Sequence, residues 1–257
     1  MAKRKKNKRP LAGLGPLVFA LLFLYSAILI VDQVQTAKNG FGPEDFYREG
    51  ERLVCLSADA VTGIDVSYYQ GQIDWPQVKA SGIEFAFVRL GYRSADDGSL
   101  HIDETAQRNL TQAKEAGLLV GAYFFSQAVT PVEASQEAEF ALEILADYEL
   151  DLPLAYDWEI VDQGARTQGM TKENLMACVD VFCTKVEAAG YDSLVYFNRD
   201  ISRRLLDLDR LHREIWFAMY DSYPDLPQKP RYWQYTDEGK VPGIQGNVDL
   251  NLGFFCP

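Results

Sequence analysis

The 257 residues are 47% apolar and include only four cysteines, which excludes both a disordered chain and a small disulfide-rich scaffold. Six of the 25 basic residues lie within residues 3–9 and no acidic residue precedes Asp32, so residues 32–257 carry 19 basic against 37 acidic residues. This acidic excess leaves no basic face for phosphate contacts, and we expect no nucleic-acid partner.

The N-terminal region predicts a membrane anchor. Residues 11–31 contain no charged or amide side chain and would span roughly 30 Å as a helix, the thickness of the hydrocarbon core. The basic segment 1–10 favours the cytoplasmic side, which places an extracellular stalk at 32–60, with a short helix at 44–56, and a globular domain at 61–257 outside the cell membrane. The alternatives are export with cleavage, although no convincing cleavage site follows the apolar run, and a buried core helix.

Short apolar runs alternate with helical patterns after residue 60, which favours a parallel α/β fold. Strands are predicted at 62–66, 85–90, 119–125, 153–158, 193–197, 215–220, 231–235 and 247–250. Helices are predicted at 75–81, 103–116, 131–148, 172–189 and 201–206. Eight strands suit a closed (β/α) barrel, irregular at its end because the last three strands leave no room for full helices. An open doubly wound sheet is the alternative, but no G-x-G-x-x-G follows the first strand.

Four acidic residues lie at predicted strand ends. Asp157 and Glu159 are two residues apart, so their side chains share one face of a strand. Asp65 lies in the first strand and Asp249 in the last, and a barrel pairs its first and last strands. A protonated and an ionised carboxyl side by side are what glycosidic bond cleavage requires. The alternatives are solvated surface acids and a divalent-cation site, which the neighbouring aromatic residues make less suitable.

Several motifs follow one another in order between residues 61 and 252. They are G-I-D-V-S-Y-Y-Q-G at 63–71 with I-D-W at 73–75, F-A-F-V-R-L-G-Y at 85–92, G-A-Y-F-F at 121–125, D-x-E at 157–159, W-x-A-x-Y at 216–220, W-Q-Y at 233–235, and V-x-G-I-x-G-x-V-D-x-N at 241–251. This ordered set resembles the glycoside hydrolase family 25 lysozymes. Tyr156 departs from the pattern, because an aliphatic residue often precedes the first acid of the D-x-E pair.

The resemblance implies a barrel of five β/α units and three closing strands that acts as an N-acetylmuramidase. Such an enzyme cuts the β-1,4 bond between N-acetylmuramic acid and N-acetylglucosamine in peptidoglycan and needs no cofactor or metal. Glu159 would be the proton donor, Asp157 would orient or stabilise the developing positive charge, and Asp65 and Asp249 would complete the cluster. The spacing leaves open whether the reaction is retaining, inverting or substrate-assisted. The alternatives are a catalytically silent wall-binding protein and a hydrolase of chitin-like glycans.

Aromatic residues near the predicted strand ends suit sugar rings, whose C–H faces stack on aromatic side chains. We expect five of them to bind the glycan, with packing inside the barrel as the alternative: Tyr68, Tyr123, Tyr220, Trp233 and Tyr235.

The cysteines lie in two sets. Cys55 and Cys256 flank the predicted domain, and a disulfide between them would join its two ends. Cys178 and Cys183 lie on one predicted helix with a spacing that is awkward to bridge, so we expect both to be buried thiols. Neither histidine lies at metal-ligand spacing from other ligand residues, so no zinc site is predicted.

Overall fold

The computed structural model describes residues 39–161 and 166–256. The predicted basic segment 1–10 and membrane span 11–31 lie outside the described residues. Within the described ranges, no helix combines the length and the apolar character that crossing a bilayer requires. Most of the described strands belong to one nine-stranded sheet that closes on itself.

Eight strands of this sheet form a barrel. The described strands are β1 (Phe46–Glu49), β2 (Arg52–Cys55), β3 (Val61–Val66), β4 (Phe85–Arg93), β5 (Leu100–Ile102), β6 (Leu119–Ser126), β7 (Leu154–Trp158), β8 (Ser193–Asn198), β9 (Glu214–Ala218), β10 (Tyr232–Gly239) and β11 (Val248–Gly253). Neighbouring strands pair in parallel in the order β3, β4, β6, β7, β8, β9, β10. The last strand, β11, runs antiparallel to both β10 and β3. Because β3 pairs with both β4 and β11, the barrel is closed and the doubly wound alternative is wrong.

Five helices each follow a barrel strand. They are α1 (Trp75–Ala80) after β3, α2 (Ala106–Glu115) after β4, α3 (Pro131–Ile144) after β6, α4 (Lys172–Ala188) after β7 and α5 (Arg199–Arg204) after β8. A side chain that accepts a free backbone N–H begins four of them: Asp74, Thr130, Thr171 and Asn198. The described connections between β9, β10 and β11 contain no helix. The fold therefore has the five β/α units and three closing strands that the resemblance implies.

Residues 46–55, within the predicted stalk 32–60, form the hairpin of β1 and β2, so the helix predicted at 44–56 is wrong. The hairpin packs against the outer face of β10. Phe46 lies 5.0 Å from Trp233 between ring centroids, and Phe41 lies 4.6 Å from Phe254. These contacts bury apolar rings that would otherwise face water, which explains why the segment joins the domain.

The cysteines do not form the expected disulfide. Cys55 and Cys256 both carry free thiols, and the Cys256 thiol contacts Asp59 at 3.3 Å from the carboxylate oxygen. The two side chains have different partners, because each sulfur contacts an oxygen of a nearby side chain rather than the other sulfur. Cys178 and Cys183 are fully buried thiols on α4, as predicted.

Aromatic rings fill the barrel below its mouth. Phe87 and Trp216 stack with centroids 4.6 Å apart. Glycines make room for these rings, since a Cβ on Gly63 would lie 2.3 Å from the Phe85 ring and a Cβ on Gly121 would lie 2.4 Å from Phe87. Because these rings fill the barrel interior, the barrel is open to solvent at its mouth, beside the acids.

Candidate active site

The four predicted acids converge at the mouth of the barrel. Asp65, Asp157, Glu159 and Asp249 line one cavity of about 280 Å³. Asp157 lies near the end of β7 and Glu159 directly follows that strand. Asp249 is the direct partner of Asp65 in the antiparallel pairing of β11 with β3. Because β11 runs opposite to its neighbours, its amino end lies at the mouth, and an acid early in that strand reaches the same cavity.

Asp65 is held by a chain of hydrogen bonds. Its Oδ2 accepts from the amide of Asn251 at 2.8 Å and from the amide of Gln234 at 2.9 Å. Ring donors orient these amides, since Trp216 Nε1 donates to Asn251 at 2.8 Å and the Tyr196 hydroxyl donates to Gln234 at 3.0 Å. The carboxyl is buried, and burial raises its pKa while the two amides oppose that rise. Asp65 therefore has a fixed position in the cavity.

Asp249 shares a proton with Asp65. Burial, followed by the Asp65 carboxylate beside it, raises the pKa of Asp249 from 3.8 to about 9. Two adjacent carboxyls in a buried place cannot both ionise at neutral pH, so Asp249 holds the proton and donates it toward Asp65. Asp249 is therefore uncharged near pH 7.

This pairing predicts a pH-dependent stability. A raised folded-state pKa means that the contribution of Asp249 is fully present below about pH 4 and declines as the pH rises to about 9. Asp249→Asn stays neutral throughout, so we expect it to exceed the wild type in unfolding free energy by more than ~1 kcal/mol at pH 9 and by less at pH 5. Urea unfolding at both pH values measures this difference. Asp96→Asn, at an exposed loop position, serves as the control, and a difference that does not grow with pH would contradict the pairing.

Asp157 and Glu159 form a second coupled pair. Burial raises the pKa of Asp157, and the neighbouring charges of Glu159 and Asp65 raise it further. Burial also raises the pKa of Glu159, although the polar Tyr196 hydroxyl beside it opposes this rise. Within the described part, Asp157 Oδ1 is buried without a hydrogen-bond partner. A carboxyl pair with raised pKa values, beside an unused acceptor, is suited to acid–base chemistry on a bound substrate.

The five predicted glycan-binding aromatic residues lie in three different places. Tyr123 and Tyr220 line the cavity with the acids. Tyr68 lies on the turn that follows β3 and is 39% exposed. Trp233 and Tyr235 are 0% and 1% exposed and belong to the outer core behind β10, where the hairpin covers them. The structure therefore does not bring these two to the cavity, because they face away from the barrel interior.

Several cavity residues were absent from the sequence-based set: Tyr69, Arg89, Tyr196, Trp216 and Gln234, with Asn251 bonded directly behind them. The alternation of side chains along a strand could have indicated two of these residues. Asn251 lies two residues after Asp249 on one face of β11, and Gln234 lies opposite Asn251 in the pairing of β10 with β11. Tyr196 and Trp216 had no comparable signal, because the residues beside them, at 194–197 and 215–218, are all apolar.

A cluster of exposed rings borders the cavity on the β3 side. Tyr68 and Tyr69 have ring centroids 4.1 Å apart, and Tyr69 is 72% exposed. The guanidinium of Arg89 lies 5.0 Å from the Tyr68 ring and 5.4 Å from the Tyr69 ring. Buried Asp103 accepts from Arg89 Nε at 2.9 Å and from the backbone N–H of Tyr68 at 3.0 Å. This tyrosine shelf (Tyr68 and Tyr69) thus rests on a buried ion pair that holds it in place.

A second cavity of about 400 Å³ adjoins the first and shares Glu159, Tyr196 and Tyr220 with it. The mouth is therefore an elongated cleft with Glu159 at the junction. A larger cavity of about 730 Å³ lies beside Trp75 and contains none of the four acids. Among the described residues, no group of three or more His, Cys, Asp or Glu side chains is arranged to hold a metal ion.

The sequence is similar to known lysozymes. It is 30% identical over 190 residues to the autolytic lysozyme of Clostridium acetobutylicum, covering 74% of this chain and 54% of that protein. It is 27% identical over 223 residues to lysozyme M1 of Streptomyces globisporus, covering 82% and 72% of the two chains. The chain thus spans about half the length of the autolytic lysozyme.

Solved structures share the fold. The autolysin LytC from Streptococcus pneumoniae, solved in complex with a synthetic peptidoglycan ligand, superposes with a TM-score of 0.66 and 26% identity over 75% of this chain and 46% of LytC. A family 25 glycosyl hydrolase from Bacillus anthracis gives a TM-score of 0.68 at 22% identity over 82% and 95% of the two chains. The model of the glycosyl hydrolases family 25 matches residues 64–244, which contain three of the four converging acids, six complete barrel strands and part of β3. This chain belongs to that family.

Proposed function

We propose that the protein is a peptidoglycan hydrolase that cleaves the β-1,4 bond between N-acetylmuramic acid and N-acetylglucosamine. The observation that carries the proposal is the convergence of Asp65, Asp157, Glu159 and Asp249 in one cleft with aromatic walls. Burial raises the pKa values of Asp157, Glu159 and Asp249, so these carboxyls keep a proton to a higher pH than carboxyls in water do. Family membership and the likeness to lysozymes support this assignment.

Glu159 is the proposed proton donor. It lies where the two adjoining cavities meet, so a glycan in the cleft passes directly over it. When the bond between the muramic C1 and the bridging oxygen breaks, the oxygen keeps the electron pair and takes the proton of Glu159. Asp157 faces the positive charge that develops at the sugar ring, and water then supplies the hydroxyl at C1 and returns a proton to the pair. Asp65 and Asp249 hold the negative potential of the cleft.

Three of the predicted aromatic residues remain in the proposed glycan-binding set. Tyr123 and Tyr220 line the cleft, and Tyr68 belongs to the tyrosine shelf at its edge. Tyr69 joins them, since its exposed ring borders the acids. An exposed aromatic surface fixed in place by an ion pair suits the C–H face of a sugar.

Tyr69→Ala is expected to raise KM for peptidoglycan about 3- to 10-fold and to leave kcat within about twofold, because it removes about 1 kcal/mol of stacking at a distance from the bond that breaks. Tyr47→Ala is the matched control, since Tyr47 is 44% exposed but lies on the hairpin. Initial rates over a series of peptidoglycan concentrations measure both constants. Equal KM values for the two variants would contradict a role for the shelf.

The activity itself is tested with the full-length protein in detergent. Purified peptidoglycan and chitin oligomers are digested, the products are reduced, and mass spectrometry identifies the new reducing end. The proposal requires a muramic reducing end. An N-acetylglucosamine end would indicate a hydrolase of chitin-like glycans, and no product from either substrate would indicate a silent wall-binding protein, so both results contradict the proposal.

We further propose that residues 11–31 anchor the protein in the cell membrane, with residues 1–10 in the cytoplasm and the barrel outside. The support is the uncharged 21-residue run and the six basic residues before it. A full-length chain should stay in the membrane pellet after an alkaline wash and should be degraded by protease added to intact spheroplasts. Release into the wash, or protection from the protease, would contradict this topology.

A further inference from the structure

We propose that Gln127 is a positioning residue that fixes the backbone of Glu159, an inference that rests on the proposed role of Glu159 as proton donor. Gln127 follows β6 and is fully buried. Its side-chain nitrogen donates to the carbonyl oxygen of Glu159 at 2.8 Å and to the carbonyl oxygen of Ser126 at 2.8 Å. Both hydrogens of one amide are thus used on backbone carbonyls, one of which belongs to the proposed proton donor.

Glu159 needs this support because it lies beyond the regular sheet. The last paired position of β6 with β7 joins Ser126 to Trp158, so no strand pairing holds the carbonyl of the next residue. The amide of Gln127 replaces the missing pairing. Its orientation is determined by its partners, because two carbonyl oxygens can be satisfied only by the NH₂ end of the side chain.

The other end of the same side chain is unfavourable for folding. Gln127 Oε1 is buried and has no hydrogen-bond partner within the described part of the chain. A buried acceptor left unpaired lowers stability and offsets part of what the two donated hydrogen bonds contribute. The net gain in stability from this amide is therefore small, whereas one of its two bonds holds the backbone of Glu159.

Neighbouring contacts fix the segment that carries Gln127. The indole N–H of Trp158 donates to the carbonyl of Ala128 at 3.0 Å. Arg166 donates to the carbonyl of Gln127 at 2.7 Å and also pairs with Glu133 on α3. Residues 126–128 thus bond to Trp158 and Glu159 and are linked through Arg166 to α3. A rigid support of this kind is what an acid needs to keep its orientation toward a scissile bond.

The test uses Gln127→Met in the full-length protein, since methionine keeps the length of the side chain but has no N–H group. We expect kcat on peptidoglycan to fall about 10- to 100-fold with KM within about twofold, and the alkaline limb of the kcat profile to shift, because the environment of Glu159 changes. The urea midpoint should fall only slightly, because the loss of the two donated hydrogen bonds is partly offset by removal of the unpaired Oε1. Asn109→Leu is the matched control, since Asn109 is also fully buried with an unpartnered oxygen but bonds only within α2 and its cap; its kcat should be unchanged.

Gln127→Glu provides a second variant with the same shape. Its protonated carboxyl can still donate to the Glu159 carbonyl, so its activity relative to Gln127→Met should rise as the pH falls. A wild-type kcat and pH profile for Gln127→Met would overturn the inference, as would an equal kcat loss in Asn109→Leu at a similar drop in urea midpoint. A wild-type protein without any muramidase activity would instead overturn the proposed function.

Discussion

Replacing Glu159 by glutamine is expected to lower kcat on peptidoglycan by about 10²- to 10⁴-fold, with KM within a few-fold of the wild type. Glutamine keeps the shape of the side chain and its acceptor for Tyr196 but has no acidic proton for the leaving oxygen. The wild-type rate should also decline as the pH rises through the raised pKa of Glu159, and the residual rate of the variant should lack this decline. Release of reducing ends across a pH series measures both effects.

The Glu159→Gln protein should fold at least as well as the wild type at neutral pH. The substitution removes an ionisable group from a buried pair whose members repel each other. Glu139→Gln, on the exposed side of α3, makes the same chemical change away from the cleft and should keep full activity. If Glu159→Gln retained more than about a tenth of wild-type activity, another residue would have to be the donor.

Arg93→Met is expected to give the largest loss of stability, about 3 to 5 kcal/mol, which corresponds to a Tm lower by roughly 6 to 20 °C. Arg93 is 4% exposed and pairs at 2.7 Å with Glu137, which is 0% exposed. It also donates to the carbonyls of Gly98 and Glu133. The substitution leaves these groups buried without a donor, and calorimetry or urea unfolding measures the result.

The loss should be larger at pH 8 than at pH 5. Burial raises the pKa of Glu137 to about 7 even with the Arg93 cation beside it, so at pH 5 the carboxyl is protonated and needs no counter-charge. Arg204→Met, which breaks an exposed pair on α5, should cost less than about 1 kcal/mol. The double substitution Arg93→Met with Glu137→Leu should recover more than half of the loss, because an apolar pair carries no buried charge. A double variant as unstable as Arg93→Met would contradict this account.

The barrel and its four acids could be predicted because both depend on periodicity. Alternation along one strand places Asp157 and Glu159 on the same face, and closure of a barrel pairs its first strand with its last, which brings Asp65 to Asp249. Neither inference requires knowledge of side-chain packing. These elements are therefore fixed by local spacing and by topology.

The aromatic residues of the cleft were harder to predict, because alternation separates two faces of a strand without indicating which one points inward. In the sequence W-Q-Y at 233–235, the two aromatic residues suggested sugar contacts, yet Gln234 faces the cavity. Only the pairing of Gln234 with Asn251, two residues from Asp249, identifies the inward face. Long-range register of this kind is set by the assembled sheet.

The N-terminal hairpin was also missed, since its charged residues resemble a solvated helix. Gly50 adopts a φ of +64°, a conformation that interrupts a helix and that allows the tight turn between β1 and β2. The partner of the hairpin is β10, almost 200 residues away along the chain, and no local pattern reports such a partner.

The hairpin determines the residue at which a soluble expression fragment of the protein must begin. A polypeptide started at residue 61 would contain every barrel strand, yet it would leave the rings of Trp233 and Tyr235 in water. Exposed rings on the flank of a sheet favour aggregation. We therefore expect soluble protein only from fragments that begin at or before Asn39, whose amide bonds to the carbonyl of Pro224.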